Sequence, residues 1–170
     1  MLAGDDEAFR TVYRAVQPPL LRYLTVLVGP EDAEDVASEA WAQAFRDLAR
    51  FSGDADGFRG WITTIGRNRA LDHLRHARRR PVDERPVEEL VHLLDDTDVE
   101  ADTLGRVLSQ AALTLVASLP RDQAEAIMLR TVLDFDAATA GRILGKSPGA
   151  VRAASFRGLR QLAKKIEQWP

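Results

Sequence analysis

The 170-residue sequence has no cysteine, only three histidines and no long apolar run. Without cysteine there is no disulfide framework and no thiolate metal site. The histidines add little: His73 and His76 stand three apart with no third or fourth ligand beside them, so neither metal nor cofactor is expected. No apolar stretch approaches the ~20 residues that cross a bilayer. The opening MLAGDDEAF lacks the basic n-region and apolar core of a signal peptide, which makes the cytoplasm the expected compartment. Period-two alternation of apolar and polar residues is also missing, which argues against a sheet and for an all-α chain.

What is present is the composition of a soluble globular protein, 45% hydrophobic and 29% charged, long enough for one ordinary domain or two small ones. A net charge of -3 would argue against nucleic acid if it were evenly spread, but it is arranged in blocks. Residues 59–80 hold seven arginines against Asp72, whereas residues 81–102 hold nine acids against Arg85. Blocks of opposite sign point to separate surfaces for separate partners.

The sharpest block is GKSPGAVRAASFRGLRQLAKKI, residues 145–166, with six basic residues and no acid. Ser147 suits an N-cap and Pro148 the first helical position, where a missing N–H costs nothing. At 100° per residue Val151, Ser155, Gly158, Leu159, Leu162 and Ile166 form the packing stripe, and Arg152, Phe156, Arg157, Arg160 and Lys164 lie opposite. A shorter helix is expected upstream from Asp136, with Ile143 and Leu144 as anchors and Gly145 as the turn. Helix, glycine turn and capped basic helix outline a helix-turn-helix. The same residues, AGRILGKS, match a relaxed phosphate loop with Lys146 and Ser147 in the lysine and magnesium positions. No strand precedes them, Ala140 replaces the first glycine, and Pro148 removes an amide, so nucleotide hydrolysis is not expected.

Earlier in the chain, helices are expected over Asp5–Val16, ended by Pro18-Pro19, and over Leu20–Val28, ended by Gly29-Pro30. A third, from about Glu31 to Arg50, carries Ala33, Ala37, Ala40, Trp41, Ala44, Phe45 and Leu48 on its packing side. Asp32, Asp35, Glu39, Gln43 and Arg46 lie opposite, with Val36 among them. Two readings of Asp32 and Asp35 stand: acids that favour the helix dipole, or an acidic docking face centred on Val36. A loop, Phe51–Gly60, leads into a helix over Trp61–Arg80. There Trp61, Ile65, Asn68, Asp72, Arg75 and His76 face away from the small-residue packing side. Rings that stack on bases beside guanidiniums that neutralise phosphates suit nucleic acid; a hydrogen bond between Asn68 and Asp72 along the helix is the plainer alternative. Residues 81–103, acidic and carrying Pro81 and Pro86, read as a linker. Helices are expected again over Thr103–Ala117 and from Leu119-Pro120 to about Leu133, with Ile127 and Met128 inward.

In this order DAEDVASEAWAQAF (32–45), FRGWITTIGRNRALDHLR (58–75) and the stretch from Leu119 to Ile166 resemble regions 2.2, 2.3–2.4 and 4 of the extracytoplasmic-function sigma factors, the small two-domain class of the sigma-70 family. The resemblance implies an all-α, two-domain protein: region 2 at about 1–80, an acidic linker at 81–103 and region 4 at about 104–170. It implies a non-enzymatic transcription initiation factor that binds core RNA polymerase through its β′ and β subunits and recognises promoter DNA. Asp32, Asp35, Val36 and Glu39 would bind the β′ coiled coil. Phe58, Trp61, Arg67, Asn68, Asp72 and Arg75 would engage the −10 element. Lys146, Ser147, Arg152, Phe156, Arg157 and Arg160 would meet the −35 element. An anti-sigma partner is implied as well. The sequence departs from the family pattern at Thr139, Ala140 and Gly66. The alternative from another class is a stand-alone dimeric helix-turn-helix regulator, which would have no use for the acidic face.

Overall fold

The computed structural model describes residues 6–78 and 110–168. They form seven α-helices and no strand, in agreement with the all-α expectation: α1 (Asp6–Val28), α2 (Ala33–Asp47), α3 (Ala55–Arg78), α4 (110–117), α5 (Arg121–Ile127), α6 (Ala137–Leu144) and α7 (Pro148–Glu167). The acidic stretch read as a linker, and residues 103–109 of the helix expected over Thr103–Ala117, lie outside the described residues; the rest of that helix is α4. None of the described helices is long and apolar enough to cross a membrane.

The first correction concerns Pro18-Pro19. The two helices expected on either side of them are one 23-residue helix, α1, with both prolines inside it. An interior proline costs a helix about 3 kcal/mol through a lost hydrogen bond and a ring clash. Here Val16, Leu20, Tyr23 and Leu24 continue one buried stripe through the break, with the last three fully buried. Burial of such side chains stabilises by roughly 1.5–3 kcal/mol each, enough to hold the helix together.

A second correction moves Val36. The buried set of α2 is Ala33, Val36, Ala37, Ala40, Trp41 and Ala44, at the i, i+3, i+4, i+7 spacing of a core stripe. Val36 is 1% exposed, whereas Phe45, expected to pack, is 53% exposed. After a short 3-10 turn at Leu48–Arg50, α3 begins at Ala55, well before the expected Trp61. Asp54 explains the early start: its Oδ1 accepts the Gly57 N–H at 2.8 Å, an N-cap that turns half of the expected loop into helix. Phe58, Ile62, Ile65 and Ala70 then face the core. Gly66 fits where a Cβ would stand 3.2 Å from Leu20 Cδ1, so its departure from the family's alanine matches a tight crossing of α3 over α1.

In the second half, α5 starts after Pro120 as expected and passes into a π-helical turn, Met128–Val132, with Ile127 and Met128 buried. Asp134 follows with φ 57. Asp136 caps α6 by accepting the Thr139 N–H at 2.7 Å, and Gly145 ends it at φ 66. Lys146 N–H donates to the Gly141 carbonyl at 2.8 Å, and a Cβ on Gly141 would collide with the Lys146 carbonyl oxygen. Ser147 Oγ then accepts the Ala150 N–H at 3.1 Å and α7 begins. The stretch that matches a phosphate loop is therefore occupied by a helix, its C-cap and the next N-cap.

Both halves contribute to one buried cluster, which includes Leu20, Tyr23, Ile62, Ile127, Met128 and Val151.

Candidate nucleic-acid interface

Two helices present the predicted DNA-binding residues. On α7 the buried positions are Val151, Ala154 and Gly158, with Leu162 half-buried. Arg152, Phe156, Arg157 and Arg160 are all exposed on the opposite side, as are Lys146 and Ser147 at the start. Arg160 lies over the Phe156 ring at 5.7 Å, a cation–π contact between two exposed side chains. Arg157 is 3.9 Å from Asp122, a loose pair between exposed groups. The packing stripe is shorter than expected: Leu159 and Ile166 are 50% and 60% exposed. The 151, 154, 158, 162 spacing follows the crossing with α5 and α6, and those two side chains fall off it. Ser147 serves as the helix cap, so its oxygen already accepts one hydrogen bond.

On α3 the predicted residues separate. Asn68, Asp72 and Arg75 are exposed, and Asp72 pairs with Arg75 at 3.0 Å rather than with Asn68. Phe58 is 3% exposed and belongs to an aromatic cluster with Trp41, Phe51 and Trp61, so it has no face free for a base. Trp61 is half-buried, its ring stacked on Phe51 at 5.0 Å. Arg67 points at the other half of the molecule. Its Nε and Nη2 donate to the two oxygens of Glu125 on α5, at 2.7 and 3.3 Å. Tyr23 of α1 donates to the same carboxylate at 2.7 Å. Burial, then the neighbouring Glu125 carboxylate, pushes the Tyr23 phenol well above its ordinary range. Burial alone would lower the Arg67 guanidinium, but the hydrogen bonds and charge of Glu125 outweigh it and raise it.

The acidic face of α2 is simpler. Asp35 and Glu39 are exposed together with Glu34, while Asp32 is partly covered and lies 3.0 Å from His73 of α3. With Val36 buried, the apolar centre expected for this face is absent; around its place the exposed side chains are Glu34, Asp35, Ser38 and Glu39.

Sequence reasoning missed Tyr23, Glu125 and Arg59. Arg59 donates to the Leu133 carbonyl and lies over the Phe135 ring at 5.1 Å, joining α3 to the turn before α6. A signal existed only for Glu125, a lone acid between Ala124 and Ala126 in a run that reads as core. Between α3 and α6 a groove is lined by Gly60, Trp61, Thr64, Thr139, Arg142 and Ile143.

Comparison with known proteins accounts for this arrangement. The family described as Sigma-70 region 2 matches residues 12–80, and Sigma-70, region 4 matches residues 109–162. The ECF RNA polymerase sigma factor ShbA of Streptomyces griseus is 32% identical over 97% of this chain and 91% of its own length. ECF RNA polymerase sigma factor BldN of Streptomyces coelicolor is 33% identical over 96% of this chain, which spans 62% of that relative. Among solved structures, the sigma factor RpoE of Bartonella quintana, crystallised with the anti-sigma factor NepR, superposes with a TM-score of 0.69 over 95% of this chain and 98% of that one. At 18% identity that likeness concerns the fold. CnrH, in complex with the cytosolic domain of CnrY, gives 0.67 at 22% identity, covering 99% of this chain and 93% of that one. The capped, basic α7 behind its glycine turn and the arginine-rich α3 are thus those of region 4 and region 2, and the chain belongs to the extracytoplasmic-function sigma factors of the sigma-70 family, a promoter-directing factor of RNA polymerase.

Proposed function

We propose that this chain works as two promoter readers carried on core RNA polymerase, without catalysing a reaction of its own, in the cytoplasm. Region 2, about residues 1–80, and region 4, about 104–170, are joined by the acidic linker at 81–103. The observation that carries the reading is α7. Its Arg152, Phe156 and Arg160 stand clear of the face that packs on α5 and α6, and Arg157 meets α5 only through its loose pair with Asp122, so the helix can enter a major groove without disturbing its own support. Lys146 and Ser147 lie at its start, where backbone phosphates are met.

The downstream reader is α3. Trp61, Asn68, Asp72 and Arg75 meet the melted −10 strand, and Arg67 joins them once it is free of Glu125. Phe58 supports Trp61 from the core. Holding an unpaired base offsets part of the roughly few kcal/mol lost on unstacking it, so no nucleotide hydrolysis is required. Asp35 and Glu39, with Asp32 at the edge, supply the carboxylate face for the polymerase β′ subunit, while region 4 lies against the β subunit. An anti-sigma factor is a natural further partner, since the chain shares its fold with a sigma factor crystallised with such a protein.

Transcription from candidate promoters by core polymerase, with and without this chain, tests the reading. Promoter-dependent initiation should need the chain. Asp35→Arg combined with Glu39→Arg should abolish the complex with core on a sizing column and leave the helical fold unchanged. If wild-type chain neither binds core nor confers initiation, the reading is wrong. A palindrome-binding dimer that acts without polymerase would replace it.

A further inference from the structure

The centre of the contact between the two halves is polar. Arg67 of α3 is held by Glu125 of α5, the carboxylate is 3% exposed, and the hydroxyl of fully buried Tyr23 completes it. All three hydrogen bonds run between residues 58 or 102 positions apart in the chain. Around them Arg59 binds the Leu133 carbonyl and covers the Phe135 ring, and a Cβ on Gly60 would stand 3.9 Å from Thr139 Cγ2.

A guanidinium recognises carboxylate and phosphate with the same planar fork of donors. The fork that Arg67 gives to Glu125 is therefore not available to DNA while the halves are closed. A buried ion pair is also a poor permanent seal. Its attraction is largely offset by the hydration both ions gave up, and both regain water when the contact opens. An apolar contact of the same size would lack this reversibility.

We propose that Glu125 is an internal substitute for a DNA phosphate: it keeps Arg67 occupied in the free chain and yields it when the two regions separate on promoter DNA. The chain thus carries its own closed state, with Tyr23 and Glu125 as the catch and Arg67 as the bolt. This rests on the reading of α3 as a DNA-binding helix. By competition, a free chain that is closed in about ten molecules of eleven binds DNA about tenfold more weakly than its open form.

Two variants test it. Glu125→Gln keeps the shape of the side chain and removes its charge. Binding of the free chain to a fluorescent single-stranded promoter oligonucleotide should tighten, by about tenfold where closed chains outnumber open ones about ten to one, and Arg67→Ala added to it should cancel the gain. Gly60→Cys with Thr139→Cys introduces the only two thiols in a chain without cysteine, at facing positions where a Cβ on residue 60 would stand 3.9 Å from Thr139 Cγ2. The oxidised form should lose oligonucleotide binding, reduction should restore it, and wild-type chain should ignore both treatments. Equal affinities for wild type and Glu125→Gln, or equal binding by the oxidised and reduced pair, would overturn the proposal. Neither measurement uses polymerase. Failure of the latch therefore leaves initiation with core intact, whereas failure of initiation by the wild-type chain strikes the function itself.

Discussion

Gly158 of α7 faces Ile127 of α5 across a gap that admits no side chain: a Cβ at 158 would stand 2.6 Å from Ile127 Cδ1 and 3.2 Å from Gln123 Cβ. The end of Ile127 can rotate, but the Gln123 Cβ is fixed to its backbone. Alanine gains about 1 kcal/mol over glycine in a helix, against about 1–3 kcal/mol for overpacking. Gly158→Ala should therefore lose about 1 kcal/mol of stability and Gly158→Val about 2–3 kcal/mol, measured by urea unfolding. An alanine variant as stable as wild type would mean that the two helices part freely.

The cap of α6 gives a prediction in acid. The backbone N–H of Thr139, donated to the Asp136 carboxylate, holds that group below its ordinary value of 3.8. A folded value below the unfolded one means that the contribution is present above about pH 4 and is lost as the pH falls through the folded value. Asn caps a helix without titrating. The stability difference between wild type and Asp136→Asn should accordingly shrink between pH 5 and pH 2, windows set by ordinary aspartate titration at about 4. A constant difference would show that the carboxylate charge plays no part in the cap.

Tyr23 gives the opposite sign. Burial, followed by the Glu125 carboxylate, raises its phenol, so its contribution is complete below the ordinary value of 10.0 and is lost as the pH rises through the folded one. With Tyr13→Phe, Tyr23 is the sole tyrosine, since the chain has two. Its tyrosinate absorbance should then appear only together with loss of the fold or of the contact between the halves. Tyr23→Phe removes one donor to Glu125 and should cost about 1–2 kcal/mol.

Arg152 is the first arginine on the exposed side of α7 and has no ion-pair partner of its own among those described for that helix. If it reads a base, Arg152→Ala should relax sequence preference at one position of the −35 element by about 1–3 kcal/mol. If it touches phosphate, binding should weaken alike on every sequence and the salt dependence should flatten by about one ion. Affinities for a panel of single-base promoter variants at two salt concentrations separate the two outcomes.

The helix-turn-helix was legible because its signals are local. Asp136, Gly145, Ser147 and Pro148 each act within a few residues, and each occupies the position that its chemistry predicts. Tertiary burial overrode the sequence elsewhere. Pro18-Pro19 reads as a stop until the buried Leu20, Tyr23 and Leu24 behind it are counted, and Val36 reads as exposed although it belongs to the buried core. Arg67 was assigned to the correct helix, yet its partner lies 58 residues away, and charge pattern along the chain carries no trace of such a pairing.

The glycine turn before α7 has a consequence for change over time. The angle between α6 and α7 is set by absent atoms, at Gly141 against the Lys146 carbonyl and at the left-handed Gly145. It does not depend on Arg152, Phe156, Arg157 or Arg160. Those four positions can be exchanged while the helix is still offered at the same tilt, so a lineage can acquire a new promoter vocabulary without having to rebuild the hand that holds the page.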